Sequence, residues 1–443
     1  MSSARVVVVS GDPVGPVMAG PAIRAVELAR VLQGAGHPVV LAAPTGSVVA
    51  PAGPEVRPWS GRRELAAALV DADVAVVFAP IVADHPWMGE LGIPLVVDAY
   101  DPGLLETLER RRGEPLNAQR DWVVAASHHL GDALARADVV LVASDRQRHL
   151  VLGALATLGR LGPRVVAEDP ALDSLVRTVP FGVSDAPAPA GPSPLRGPDG
   201  PFPPEAFVAL WGGGLYPWLD PVALVEAVSR TADPRVGAAF LAGRHPTPAV
   251  GETPLVAVAR RRAEELGLLG ERVVFVDRWV PYAERGAWLA GADVGVALHH
   301  RHVETELSFR TRVLDYLWAR LPVVCTEGDV LAELVAAEDL GLVVPPDDVT
   351  AVAAALDRLA AEGAEARHER RARASAVAAG RTWHAVAAPL VDACAEPRLA
   401  PDRRVATQAA KGPVAALRRV VRVARGAQRP LVPSSGASPE GMQ

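Results

Sequence analysis

Along residues 4–180, short runs of β-branched apolar residues alternate with longer segments whose apolar positions recur at helical spacing. Val6–Val9, Val39–Ala42, Val74–Phe78, Leu95–Val97, Val139–Val142 and Val176–Val179 read as strands. After the first, Pro21 opens AIRAVELARVLQ, and Gly34 and Gly36 close it. Proline just inside a helix start and glycine past its end is the usual asymmetry. Apolar strands separated by helices imply a parallel sheet covered on both faces. From Asp185 to Pro204, eleven of twenty residues are Pro or Gly, so neither helix nor sheet can persist and a linker is expected. The alternation then restarts with Phe207–Trp211, Gly237–Ala242, Val273–Val276, Val294–Leu298, Val323–Cys325 and Leu342–Val344. The expected fold class is α/β, with two doubly wound Rossmann-like domains: residues 1–184, a linker at 185–205, then residues 206–380. Such domains face each other across a cleft, a common ligand position.

Composition narrows the function. Half of the 443 residues are hydrophobic, enough for sizeable cores. The net charge is −6, but residues 398–443 alone carry nine basic and two acidic residues. The remaining body is therefore at −13, which argues against a nucleic-acid partner for the main fold. Lys411 is the sole lysine, so any cation needed earlier must be Arg or protonated His. Two cysteines are too few for a disulfide framework, and a reducing cytoplasm is the simplest compartment. No apolar run is long enough to span a membrane. The stretch Val414–Arg425 reads as a basic amphipathic helix suited to peripheral membrane contact, or as a disordered tail.

In open parallel sheets, ligands bind beyond the carboxyl ends of strands. The loop Ser10–Gly20 is glycine-rich and leads into a helix, but matches neither a P-loop nor GxGxxG. Gly212, Gly213 and Gly214 follow a later strand directly, either for close approach of a ligand or for a sharp turn. Arg244 ends another strand and could fork onto phosphate or be solvated. Arg310 and Arg312 sit at a helix start, where a cation opposes the dipole unless an anion neutralises it. Asp315 lies one turn on and could accept ribose hydroxyls. Gly328 and Asp329 enter the next helix, a second anion-binding geometry. In PLVVDAYDP, Asp98 and Asp101 could orient or deprotonate an acceptor hydroxyl, or form an Asp–Pro turn. Ser144 or Asp145 is expected to cap the next helix, with Arg146 able to face the cleft. His299, His300 and His302 lack a usual zinc spacing, so no metal is expected.

The segment FRTRVLDYLWARLPVVCTEGDVLAE resembles the signature of retaining GT-B glycosyltransferases of the family-four, or group 1, type. Their pattern runs approximately E-G-F-G-L-P-x-L-E-A-M-A-x-G-x-P-V-V, then T-x-x-G-G-x-x-E. Phe309 matches the F, Asp315 the second Glu, and Leu321-Pro322-Val323-Val324 the x-P-V-V strand. Thr326, Gly328 and Glu333 match the Thr, the first Gly and the later Glu. Four positions depart. Gly214 and Leu219 take the places of the family's Arg and Lys, Leu307 takes the place of the first Glu, and Asp329 that of the second Gly.

The resemblance covers residues 4–396. It implies a GT-B fold whose second domain binds a nucleotide-diphosphate sugar, whose first domain faces the acceptor, and whose residues 381–397 cross back. It further implies sugar transfer to a hydroxyl with retention, as in polysaccharide biosynthesis, without metal or cofactor. The expected donor contacts are Gly20, Gly213, Gly214, Arg244, Arg310, Arg312, Asp315, Gly328 and Asp329. The three arginines would replace the missing cations. Asp98, Asp101 and Glu306 are the expected catalytic carboxylates. The alternative is a non-catalytic binding or partner subunit on the same scaffold; an epimerase is a third reading. Base, sugar and acceptor are not specified by these residues.

Overall fold

In the computed structural model, residues 3–49, 53–189, 191–246 and 254–403 are described. The first domain is a seven-stranded parallel sheet of order β3-β2-β1-β4-β5-β6-β7. Its strands are β1 (Val6–Val9), β2 (Val39–Pro44), β3 (Glu55–Trp59), β4 (Val74–Phe78), β5 (Leu95–Asp98), β6 (Val139–Val142) and β7 (Val176–Thr178). The second is a six-stranded parallel sheet of order β10-β9-β8-β11-β12-β13. Its strands are β8 (Phe207–Trp211), β9 (Val236–Leu241), β10 (Val273–Val276), β11 (Val294–Ala297), β12 (Val323–Thr326) and β13 (Gly341–Val344). Central strands such as β1, β5, β6 and β8 are buried along their whole length, as expected for sheets with helices on both faces.

Strand β3 is not among the expected strands. Its sequence EVRPW alternates charge with apolar residues and contains Pro58, which suits only a sheet edge. It occupies that edge, paired with β2 alone.

The Pro/Gly-rich segment holds no helix or sheet strand among its described residues, yet it is packed rather than loose. Leu195 and Phe202 are buried. Arg196 donates to the Gly291 and Ala206 carbonyls at 2.7 and 2.9 Å and pairs with Asp293 of the second domain. Proline and glycine block regular structure without preventing tight packing.

The chain then returns to the first domain. Thr382 bridges to Val183, and an added Cβ on Gly182 would lie 2.7 Å from the Trp383 backbone, so this crossing requires glycine. The helix Ala388–Ala395 follows, with Arg177 of β7 donating to the Pro389 carbonyl at 2.7 Å. Residues 400–403 reach the far side of the first sheet, where the buried Asp138 accepts from the Ala400 amide at 2.7 Å and pairs with Arg403. One apolar cluster runs through both domains by way of Phe181, Val183 and Trp383. The tail stretch Val414–Arg425 lies outside the described residues. No helix among the described residues is long and apolar enough to cross a membrane.

Candidate functional site

In each sheet the strand order reverses at the first strand, β1 or β8, and the loops leaving those strands face one another. Between them is a cleft of about 330 Å³. The first domain lines it with Gly20 at the start of the helix Gly20–Gly34, and with Asp101, Glu106 and Arg110 beyond β5. The second domain contributes Gly212–Gly214 beyond β8, Tyr216, Trp218, and Arg310, Arg312 and Asp315 around the helix Thr311–Trp318.

The glycine loop has a backbone only glycine tolerates. Gly213 has φ +100°, and a Cβ on Gly214 would meet the Tyr216 ring at 2.7 Å. Tyr216 itself stacks on Trp218, ring centroids 5.0 Å apart. The Gly212 amide donates to the Tyr316 hydroxyl at 2.8 Å, and that hydroxyl donates on to the Val296 carbonyl at 2.9 Å. Burial pushes the Tyr316 phenol up to about 12, so it remains a donor at any ordinary pH.

Arg312 carries the electrostatics of this loop. Its Nη2 donates to the Gly214 carbonyl at 2.8 Å, and its guanidinium lies 5.0 Å from the Trp211 ring centroid. Its Nη1 is closed off from solvent without a hydrogen-bond partner. No carboxylate pairs with it among the described residues. Orphaned buried donors are uncommon, and an uncompensated guanidinium is a strong attractor for a bidentate anion.

Arg310 is different. Its two terminal nitrogens donate to both oxygens of Glu304, at 3.0 and 2.6 Å, and both residues are buried. Its Nε lies 3.9 Å from Asp329. The expectation that Arg310 supplies a free cation is corrected: its charge is already met. Asp329 is likewise corrected from a donor contact to a helix cap. Its Oδ1 accepts from the Leu331 and Ala332 amides at 2.8 Å each, so the protein's own carboxylate occupies the expected anion site. Gly328, with φ +125°, makes the turn into that cap, and its carbonyl accepts from Arg146 at 2.6 Å. Buried His299 lies 3.7 Å from Asp329. Burial and the nearby Arg310 bring its pKa down to about 3, which leaves it neutral.

Other placements also differ from expectation. Asp98 is not free to act on an acceptor: Arg24 donates to both its oxygens, at 2.6 and 3.0 Å, and ties it to the Val179 and Pro180 carbonyls. Glu306 is exposed and does not line the cleft; its carbonyl accepts from Arg146 at 3.0 Å. Arg244 is exposed, and His245 is the residue of its loop that lines the cleft. Asp315 lines the cleft and accepts from Arg285 at 3.1 Å.

The sequence reading missed Glu106 and Arg110, one and two turns into the helix Gly103–Arg110. Glu106 hydrogen-bonds to Asp101 and lies 3.5 Å from the Arg110 guanidinium. Burial pushes both carboxyls up, Glu106 well above its ordinary range because Asp101 adds like charge. The available signal was a Glu and an Arg four residues apart, immediately after a strand-end loop.

The two domains also touch directly. Ser144 caps the helix Asp145–Thr157 by accepting from the Gln147 amide. Arg146 reaches across to the Glu306 and Gly328 carbonyls and to the Glu333 carboxylate. Gln147 donates to the Leu307 carbonyl at 2.8 Å. Trp279 donates to the Met18 carbonyl at 3.0 Å. Of the three histidines, His302 donates to the Trp218 carbonyl at 3.1 Å, while His300 lies 2.8 Å from Asp347 and 3.8 Å from Asp220. Asp220, His300 and Asp347, the first half-buried and the others exposed, bring one ligand atom each within 4.8 Å of one another, outside the cleft.

Two parallel α/β domains facing a cleft, joined by a return of the chain to the first, define the GT-B fold. Residues 208–362 match the family model described as Glycosyl transferases group 1. Solved structures of similar fold include sucrose-phosphate synthase from Thermosynechococcus elongatus, at 19% identity and TM-score 0.61, covering 88% of this chain and 98% of that one. Anabaena HepE in complex with UDP and glucose is 16% identical with TM-score 0.61 and the same coverage of 88% and 98%. Trehalose-6-phosphate synthase OtsA is 14% identical with TM-score 0.60, covering 89% and 100%. No curated protein matches the chain.

Proposed function

We propose that this protein is a glycosyltransferase that moves a sugar from a nucleotide-diphosphate donor to an acceptor hydroxyl, with retention at the anomeric carbon in the manner of family four. The observation that carries the reading is Arg312: a guanidinium without a carboxylate partner among the described residues, beside a glycine loop, at the cleft face of the second domain. The matched family model spans this same domain, and HepE is a fold neighbour whose structure holds UDP and glucose.

The donor diphosphate would lie against Gly213, Gly214 and Arg312, at the positive end of the helix Thr311–Trp318. As the sugar–oxygen bond breaks, negative charge grows on the departing diphosphate. A preorganised guanidinium and backbone amides stabilise that charge without a metal ion. Asp315 would take ribose hydroxyls, and the aromatic pair Tyr216–Trp218 would pack against the sugar or base. Gly20 and Asp101 face the acceptor side.

Calorimetric titration with UDP, GDP and ADP tests the binding half; at least one binds, and Arg312→Ala abolishes that binding. Turnover of matching nucleotide sugars in EDTA tests the chemistry. Absence of binding by all three diphosphates overturns the reading. The closed Glu304–Arg310 pair favours a second reading, a non-catalytic nucleotide-sugar-binding subunit, and binding without hydrolysis or transfer would decide for it.

A further inference from the structure

Beside the donor cleft, the first domain contains a second cavity of about 310 Å³. Leu104, Leu105, Leu130, Leu150, Val151 and Pro80 make its walls apolar. The two cavities share three residues, Asp101, Glu106 and Arg110. Among the described residues lining the apolar cavity, the acidic groups are Asp101 and Glu106, the hydrogen-bonded pair at its junction with the cleft. Leu150 stands at its rim, 38% exposed.

We propose that this cavity is the acceptor site and that it takes an amphiphilic acceptor, its apolar portion among the leucines and its hydroxyl against the Asp101–Glu106 pair. The inference rests on the donor reading above and names the other substrate. An apolar pocket with few convergent polar groups orients a ligand by its one polar end. Here that end points to the cleft where the donor's anomeric carbon would lie. In the step, the acceptor oxygen bonds to the anomeric carbon. The bond from that carbon to the diphosphate oxygen breaks, its electron pair going to the diphosphate. For retention the acceptor enters on the face from which the diphosphate leaves, so the hydroxyl proton passes to the departing diphosphate oxygen, while the Asp101 carboxylate positions the hydroxyl by accepting a hydrogen bond. Arg110, whose guanidinium lies 5.9 Å from the Trp218 ring centroid, bridges the pair to the second domain.

The probes are n-octyl and methyl glucoside, which offer the same hydroxyls and differ in the apolar tail. Both are titrated into full-length protein saturated with whichever of UDP, GDP or ADP binds. Octyl glucoside should bind at least about tenfold more tightly than methyl glucoside. Leu150→Glu, on the cavity rim, should erase that preference while nucleotide affinity stays. Glu106→Gln should weaken octyl glucoside binding and flatten its pH dependence. Equal affinity for the two glucosides, retained preference in Leu150→Glu, or an unchanged pH profile in Glu106→Gln each overturns the proposal and leaves the donor reading standing. If no diphosphate binds, the donor reading fails first.

Discussion

Glu304 and Arg310 lie six residues apart and form a closed ion pair, two parallel hydrogen bonds of 3.0 and 2.6 Å between buried groups. The short helix Val303–Leu307 ends at Ser308, and the chain turns back so that Arg310 faces Glu304. Breaking such a pair from one side leaves an uncompensated buried charge. Arg310→Met should therefore destabilise the fold by roughly 3–5 kcal/mol, and Glu304→Gln added to it should recover part of that loss. Urea denaturation of both variants measures this. Loss of nucleotide binding by a fully stable Arg310→Met protein would instead make Arg310 a direct ligand.

Arg312→Ala should behave in the opposite way. The variant loses diphosphate affinity with little change in stability, because the arginine has no carboxylate to leave stranded among the described residues. Arg312→Lys should restore charge but not the forked contact, leaving affinity roughly tenfold below the parent. Calorimetry beside a melting curve separates binding from folding for both.

The Asp101–Glu106 pair makes stability depend on pH. Glu106 has its folded pKa raised well above the ordinary 4.5. Between 4.5 and that raised value the folded state holds a proton the unfolded chain has released, so stability falls as pH rises through this window. Glu106→Gln, a permanent neutral donor, should flatten this slope and leave the protein more stable at neutral pH. Denaturation midpoints across pH 4–8 give the readout; parallel curves for parent and variant would contradict it.

Arg146 links Glu306, Gly328 and Glu333 to the first domain from a single guanidinium. Arg146→Ala should let the domains separate in the unliganded protein, seen as a larger radius of gyration in solution scattering. Nucleotide should bring the value back toward the parent. An unchanged scattering curve would mean that Gln147 and Trp279 suffice to hold the closure.

Twelve of the thirteen strands of the described residues are legible as short apolar runs, because buried parallel strands need apolar residues on both faces. Only β3 escapes, since an edge strand with Pro58 carries no such run. The glycine loop and Arg312 are also legible, as residues directly beyond strand ends. Partnership is not. A sequence shows that Arg310, Asp98 and Asp329 are charged, but not that Arg310 meets Glu304, that Asp98 meets Arg24, or that Asp329 caps its own helix. Glu106 enters the site only because its helix places it beside Asp101.

Asp138 sits at 2% exposure under the first sheet, satisfied by the Leu95 amide, the Ala400 amide and Arg403. Two of these three partners are made some 260 residues after it. On the ribosome, the whole of the second domain must be synthesised before that carboxylate meets Ala400 and Arg403. The amino-terminal lobe, begun first, is thus completed last, and a chain stopped short of Ala400 would leave Asp138 without two of its partners.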